Sequence, residues 1–258
     1  MLLPADLTST LHDIIFDRLG NWPPQWEGFH WPGYTYEHTL RVRNLALGLA
    51  AEENADPAIV EVAALLHDIA KAEGREHATI GAAEAASLLA RLNLDPDFIE
   101  PVRYAIATHS GDNTEEHPAE NRVLGDADLI DANFGLVATW RFITIRAGRQ
   151  STLQDTIDGM IEWLPKKDEL MDLLRSDAGR RLAAERSRVM HESCALLADV
   201  FAGRSDDGDG LRTIVNHIAS DYYRASLKEQ LPVLQSLGTD DNAQAFCARL
   251  SAEMSGQA

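Results

Sequence analysis

The chain is poor in cysteine, in aromatic side chains and in positive charge. Cys194 and Cys247 are the only 2 cysteines among 258 residues. That is too few for a disulfide framework, and they lack C-x-x-C spacing, so a reducing compartment is expected. Lys and Arg number 23 against 41 Asp and Glu, a formal net charge of −18. This balance disfavours sequence-blind attraction to DNA, RNA or an anionic membrane and fits a small substrate better. No stretch approaches the ~18 uninterrupted apolar residues of a membrane span. The opening MLLPADLTSTLHD has no basic region ahead of an apolar run, so a cytoplasmic location is expected. Alternating Val/Ile/Thr runs are also missing, which argues against a sheet.

What is present is 45% hydrophobic and 25% charged residues, the mixture of a soluble chain with a core. Apolar residues recur at three- and four-residue spacing between short Gly, Pro and Asp clusters, so the fold class is all-α. A lead-in helix is expected over 1–20, then a Pro- and Trp-rich loop over 21–34, in which Trp22, Trp26 and Trp31 either pack the loop or stack a nucleobase. Helices are expected from Thr35 to Glu53, from Pro57 through Lys71 behind the Asp56 cap, and over 77–92. A second Asp-Pro pair, Asp95 and Pro96, opens a helix ending near His109, followed by helices over 119–133, 135–147, 153–175 and 178–203. The SDDGDG run at 205–210 reads as a solvated turn, since its spacing is not that of a calcium loop, and two more helices fill 211–250. The expected organisation is a core over 1–150 and a helical extension over 151–258 packed on it. The Arg-rich 178–192 stretch reads as a solvated face or a contact between copies of the chain.

Four segments place imidazoles and carboxylates where the helical pattern expects core. His38, Val42, Leu45 and Leu49 share one face of a helix, so His38 points inward. AALLHDIAK at 63–71 is apolar all round yet carries the adjacent His67 and Asp68, with Lys71 one turn beyond His67. His109 continues the stripe of Val102 and Ile106, and GDADLIDA at 125–132 puts Asp126, Asp128 and Asp131 on an otherwise apolar helix. A lone inward histidine is usually an ordinary core residue. Desolvating two carboxylates without partners, however, costs on the order of several kcal/mol each, comparable to the net stability of a domain. Lys71 and Arg41 could neutralise them, but a divalent cation uses imidazole and carboxylate together as ligands.

These residues carry a resemblance. A His on one helix, a His-Asp doublet on the next and a distal Asp, over about residues 30–147, resemble the HD superfamily of metal-dependent phosphohydrolases. HATIGA after the doublet, IATHS, and VLGDADLIDANFGLVATWRF are similar to a branch of small bacterial hydrolases with a DADRLDA distal motif. Leu129 stands where that motif has Arg. The resemblance implies an HD-domain helical bundle with additional C-terminal helices, and as metal ligands His38, His67, Asp68 and Asp128, with Asp126 the alternative to Asp128. It implies a divalent ion, Mn, Fe, Co or Mg. One ion is favoured because the interval from His67 to His77 is short for dinuclear members; a second would use His77 and His109, which otherwise serve as donors or general acid at a phosphate.

Such an ion lowers the pKa of water from near 15.7 to about 7, worth about 12 kcal/mol toward making hydroxide. Lys71 would stabilise charge growing on the transferred phosphoryl group, or simply pair with Asp68 or Glu73. Arg141 either binds phosphate or braces Asp131, and Asp131 is expected to hold an imidazole tautomer. Lys71, Arg41, Arg43 and Arg141 would make a local positive pocket in an acidic surface. His12, His30, His117, His191 and His217 have no matching partners and read as ordinary residues. The expected activity is hydrolysis of a phosphate ester or anhydride of a nucleotide or small phosphorylated metabolite. A dinuclear iron oxygenase and a non-enzymatic ligand-sensing module are the alternatives on the same scaffold.

Overall fold

The computed structural model describes residues 5–20, 33–205, 208–221 and 223–256, and every regular element among them is helical. The expected loop with Trp22, Trp26, His30 and Trp31, and Asp206 and Asp207 of the acidic turn, lie outside the described residues. By compactness the chain forms two units. Of the described residues the first contains 5–20, 35–130 and 173–181, the second 33–34, 131–172, 182–205, 208–221 and 223–256. The two units' segments meet near the end of a helix, at 130–131.

In the first unit, α1 (Ala5–Leu19), α2 (Tyr34–Glu53), α3 (Pro57–Leu66), α4 (His77–Arg91), α5 (Pro96–Thr108) and most of α6 (Ala119–Asn133) surround one core. Asp56 and Asp95 cap α3 and α5, accepting from Ala58 N at 2.8 Å and Asp97 N at 2.9 Å. Val60, Val62, Ala63, Ala64, Leu65 and Leu66 are fully buried, so α3 is the central helix, packed on α1 and α5. Each of its buried Val and Leu side chains contributes roughly 1.5–3 kcal/mol of transfer free energy.

The central helix is shorter than its apolar run implied. It stops at Leu66, and the chain tightens through Ile69 N to Leu66 O and Lys71 N to Asp68 O, both three-residue bonds, into a 3-10 turn over Lys71–Glu76. The doublet His67–Asp68 thus sits just past the helix end.

In the second unit, α7 (Leu136–Gly148) packs on α8 (Leu153–Asp168), α10 (Asp209–Asp221) and α12 (Asp241–Met254). This is why the break precedes α7: its buried Leu136, Val137, Trp140 and Ile143 belong to the core of the C-terminal helices. Gly135, at φ 95°, precedes α7, and Glu253 of α12 caps it, accepting from Leu136 N at 2.8 Å and Val137 N at 3.1 Å. A Cβ at Gly135 would lie 2.5 Å from that carboxylate. The long α9 spans Asp177–Phe201, its residues from 182 onward belonging to the second unit, and α11 (Leu227–Leu237) packs on α12. Three helices follow α9, not the expected two. A capping box of Ser226 and Glu229 and an Asp240 cap separate α10, α11 and α12.

Candidate metal centre

The first unit brings His38, His67, Asp68 and Asp128 together. His38 projects from α2, His67 and Asp68 follow α3, and Asp128 comes from α6. His38 Nε2 is 3.0 Å from Asp128 Oδ1 and 3.8 Å from Asp68 Oδ2. His67 Nε2 is 3.5 Å from Asp68 Oδ2 and 3.9 Å from Asp128 Oδ1. Atoms bound at roughly 2.1 Å to one ion stand about 3–3.5 Å from one another, so these four spacings describe a slightly expanded ligand cage. Two of its atoms, His67 Nε2 and Asp68 Oδ2, are buried with no hydrogen-bond partner. Native interiors rarely leave such atoms unpaired.

The imidazoles are aimed by the backbone. Nδ1 of His67 donates to Ala64 O at 2.7 Å, that of His77 to Gly74 O at 2.7 Å, and that of His109 to Ile106 O at 2.6 Å. A neutral ring so bonded carries its lone pair on Nε2. For these three rings the tautomer is set by backbone carbonyls.

Asp68 has two working sides. Oδ2 faces the cage, and Oδ1 accepts from Lys71 Nζ at 2.9 Å and lies 3.5 Å from His77 Nε2 and 3.9 Å from His109 Nε2. His77 Nε2 and His109 Nε2 are 3.3 Å apart. Burial acts to raise the Asp68 pKa, but Lys71, His67, His38 and His109 outweigh it and hold the carboxyl well below its usual range. Asp128, with a fifth of its side chain exposed, is also lowered, because the His38 hydrogen bond and the charges of His38, His67 and Lys71 overcome desolvation. Burial lowers His67 and His77, and takes His109 down to about 4 with help from His67. At neutral pH His67, His77 and His109 are therefore neutral and Asp68 and Asp128 ionised, the protonation states in which such groups bind metal.

Asp126 is turned elsewhere. Its Oδ1 accepts from Arg175 N at 2.9 Å, and its Oδ2 from Ser176 N at 2.7 Å and Ser176 Oγ at 2.5 Å. It ties the 173–181 segment to α6, and Gly179 is required beside it, since a Cβ there would sit 2.5 Å from Asp126 Oδ2. Arg43 is engaged by Glu61 through Nε at 2.9 Å, and Arg41 is buried. Arg141 belongs to the second unit, where it donates to Ala132 O at 3.2 Å. Of the remaining histidines, His191 meets Asp168 at 3.0 Å and His217 meets Asp221 at 3.3 Å.

A family model and solved structures are similar to this chain. The HD domain family model matches residues 35–133, the segment that spans all four cage residues. Residues 35–133 are an HD domain. Protein YpgQ of Bacillus subtilis, described as uncharacterized, is 26% identical over 163 residues, covering 61% of this chain and 80% of YpgQ. The HD fold extends to solved structures. The crystal structure of YpgQ in complex with ADP superposes with a TM-score of 0.57 at 24% identity, covering 77% of this chain and 100% of that one. An HD-superfamily hydrolase from Bacillus thuringiensis gives 0.58 at 21% identity, covering 76% and 97%. Among the described residues, no helix is long and apolar enough to cross a membrane.

Proposed function

We propose that the protein is a metal-dependent phosphohydrolase that cleaves a phosphate ester or anhydride of a nucleotide or small phosphorylated metabolite in the cytoplasm. The observation that carries this reading is the pair of buried, partnerless atoms His67 Nε2 and Asp68 Oδ2 facing His38 and Asp128. That donor set, two imidazoles and two carboxylates, suits Mn²⁺, Fe²⁺, Co²⁺ or Mg²⁺ and leaves coordination positions for water and a phosphate oxygen. A divalent ion bound there supplies activated water and polarises the phosphoryl group. Lys71, fixed by Asp68, offers its ammonium to charge that grows on the phosphoryl oxygens. His77 and His109 hold lone pairs toward the same region and can orient or accept a proton at the substrate. The ADP bound by YpgQ supports a nucleotide-like substrate.

The test is a screen of phosphorylated metabolites with each of the four metals, reading phosphate and pyrophosphate release. Metal-dependent release that is lost in Asp68→Ala is expected; no release from any nucleotide or sugar phosphate with any metal would overturn the reading.

One observation favours a second ion. Two neutral rings, each with its proton on Nδ1, present facing lone pairs at 3.3 Å in His77 and His109, and such a pair repels unless a cation or proton lies between them. Asp68 Oδ1 completes a set of three. Two ions per chain by elemental analysis would favour this arrangement, and two irons with oxygen consumption would favour the oxygenase.

A further inference from the structure

Arg186 of α9 is 2% exposed, and its Nε, Nη1 and Nη2 are all buried with no hydrogen-bond partner. Among the described residues it is the one side chain with three such atoms. A guanidinium offers its N–H donors in a fixed fork, and burying them unpaired forfeits the hydration they have in the unfolded chain. Its charge bears on the carboxylate of Glu253, a residue of α12 that is itself 6% exposed. That carboxylate spends one oxygen on each of two amides at the start of α7, Oε1 on Leu136 N at 2.8 Å and Oε2 on Val137 N at 3.1 Å. All of these residues belong to the second unit.

A helix is ordinarily capped by the residue just before it, a Ser, Thr, Asp or Asn. Here that residue is Gly135, which makes no side-chain cap. A Cβ at Gly135 would lie 2.5 Å from Oε2 and 2.6 Å from Oε1 of Glu253, so the glycine leaves room for a carboxylate delivered from elsewhere in the chain. Three favourable influences converge on that group: two N–H donors matched to its two oxygens, the positive end of the helix dipole, and the guanidinium charge in a desolvated interior. Burial pushes the Glu253 carboxyl pKa up, and Arg186 is the foremost influence pulling it back, ahead of the two amides. The Asp131 carboxylate acts in the opposite sense.

We propose that Gly135, the Leu136 and Val137 amides and Arg186 form a carboxylate-binding site, which the intact chain fills with Glu253 and which takes a free small carboxylate when that side chain is shortened. Acetate replaces atom for atom the Cγ and carboxylate that Glu253→Ala removes, and formate leaves only the methyl position empty. Arg186 is the residue that makes the site selective for charge. The two amides alone accept any oxygen, including that of a glutamine, whereas a buried guanidinium is stabilised only by an anion. The site shares no residue with the metal cage and does not depend on the hydrolase reading.

The test is thermal unfolding of the full chain in chelator, with sodium acetate, sodium formate or sodium chloride at matched ionic strength and neutral pH. Acetate and formate are expected to raise the midpoint of Glu253→Ala by roughly 2–6 °C beyond their effect on the parent, along a saturable curve that chloride does not reproduce. Adding Arg186→Met to Glu253→Ala should abolish that response, and Arg186→Lys should keep part of it. An equal response to chloride, no response of folded Glu253→Ala, or a response untouched by Arg186→Met overturns the proposal. Should Glu253→Ala not fold, the otherwise intact chain carries a second readout. The ¹³C carboxyl signal of Glu253, identified by its absence in Glu253→Gln, should titrate at higher pH in Arg186→Met than in the parent, and an unchanged titration would likewise overturn the proposal.

Discussion

Asp126 Oδ2 receives both the backbone N–H and the hydroxyl of Ser176, at 2.7 and 2.5 Å. Asp128, two positions on, instead meets His38 at 3.0 Å. The two aspartates are therefore expected to fail differently. Asp126→Ala strands buried donors and should lower unfolding free energy by roughly 2–4 kcal/mol while leaving metal content unchanged. Asp128→Ala should do the reverse, weakening metal binding about 100-fold or more with a small effect on stability. Urea unfolding and elemental analysis of the two dialysed variants distinguish them. Metal loss in Asp126→Ala alone would reverse the assignment.

Lys71 bonds one oxygen of Asp68 while the other faces the cage. Lys71→Met should retain metal and lower turnover by roughly 10²–10³, the usual cost of removing one donor to developing charge. If the lysine only balances Asp68, metal affinity falls and turnover of the loaded enzyme does not.

The parts of the site that could be read directly were those encoded locally. Asp56-Pro57 and Asp95-Pro96 state where α3 and α5 begin, and the spacing of His38 with Val42 and Leu45 states that it faces inward. The end of α3 could not be read that way, because Leu66 is followed by no Gly or Pro; His67 closes the helix by turning its ring to Ala64 O. Nor could periodicity separate Asp126 from Asp128. Their difference lies in Ser176, which approaches only once the distal segment has folded back. Arg186 is inconspicuous in sequence for the same reason, Glu253 and the start of α7 being brought to it by tertiary packing. The division of 211–250 into three helices and not two went unread, because the capping residues Ser226, Glu229 and Asp240 are masked by the apolar pattern.

Lys167 also predicts a pH effect on stability. Its folded pKa of about 8 lies below the roughly 10.4 of an unfolded lysine. Between those values the unfolded chain holds a proton that the folded chain has shed, so this residue adds stability as pH rises through that window. At neutral pH, where both states are protonated, it contributes a penalty. Lys167→Met should therefore raise the melting temperature near pH 7, with the advantage shrinking toward pH 10. An advantage constant across that range would show that the ammonium titrates normally.

Glu253→Ala should cost roughly 1–2 kcal/mol, the loss of a helix cap, in spite of its distance in sequence from α7. Glu253→Gln should retain part of that, since an amide oxygen still accepts one of the two N–H groups. Thermal unfolding followed by circular dichroism reads both; an unchanged midpoint in Glu253→Ala would mean that solvent replaces the carboxylate at no cost.

The Glu253 clasp on Leu136 and Val137 bears on how the protein is made. A ribosome has to deliver α8 to α12 before the acceptor for those amides emerges, so α7 waits exposed in the meantime. Chaperone demand during translation should accordingly fall on this stretch, whereas the segment bearing the histidines can settle early.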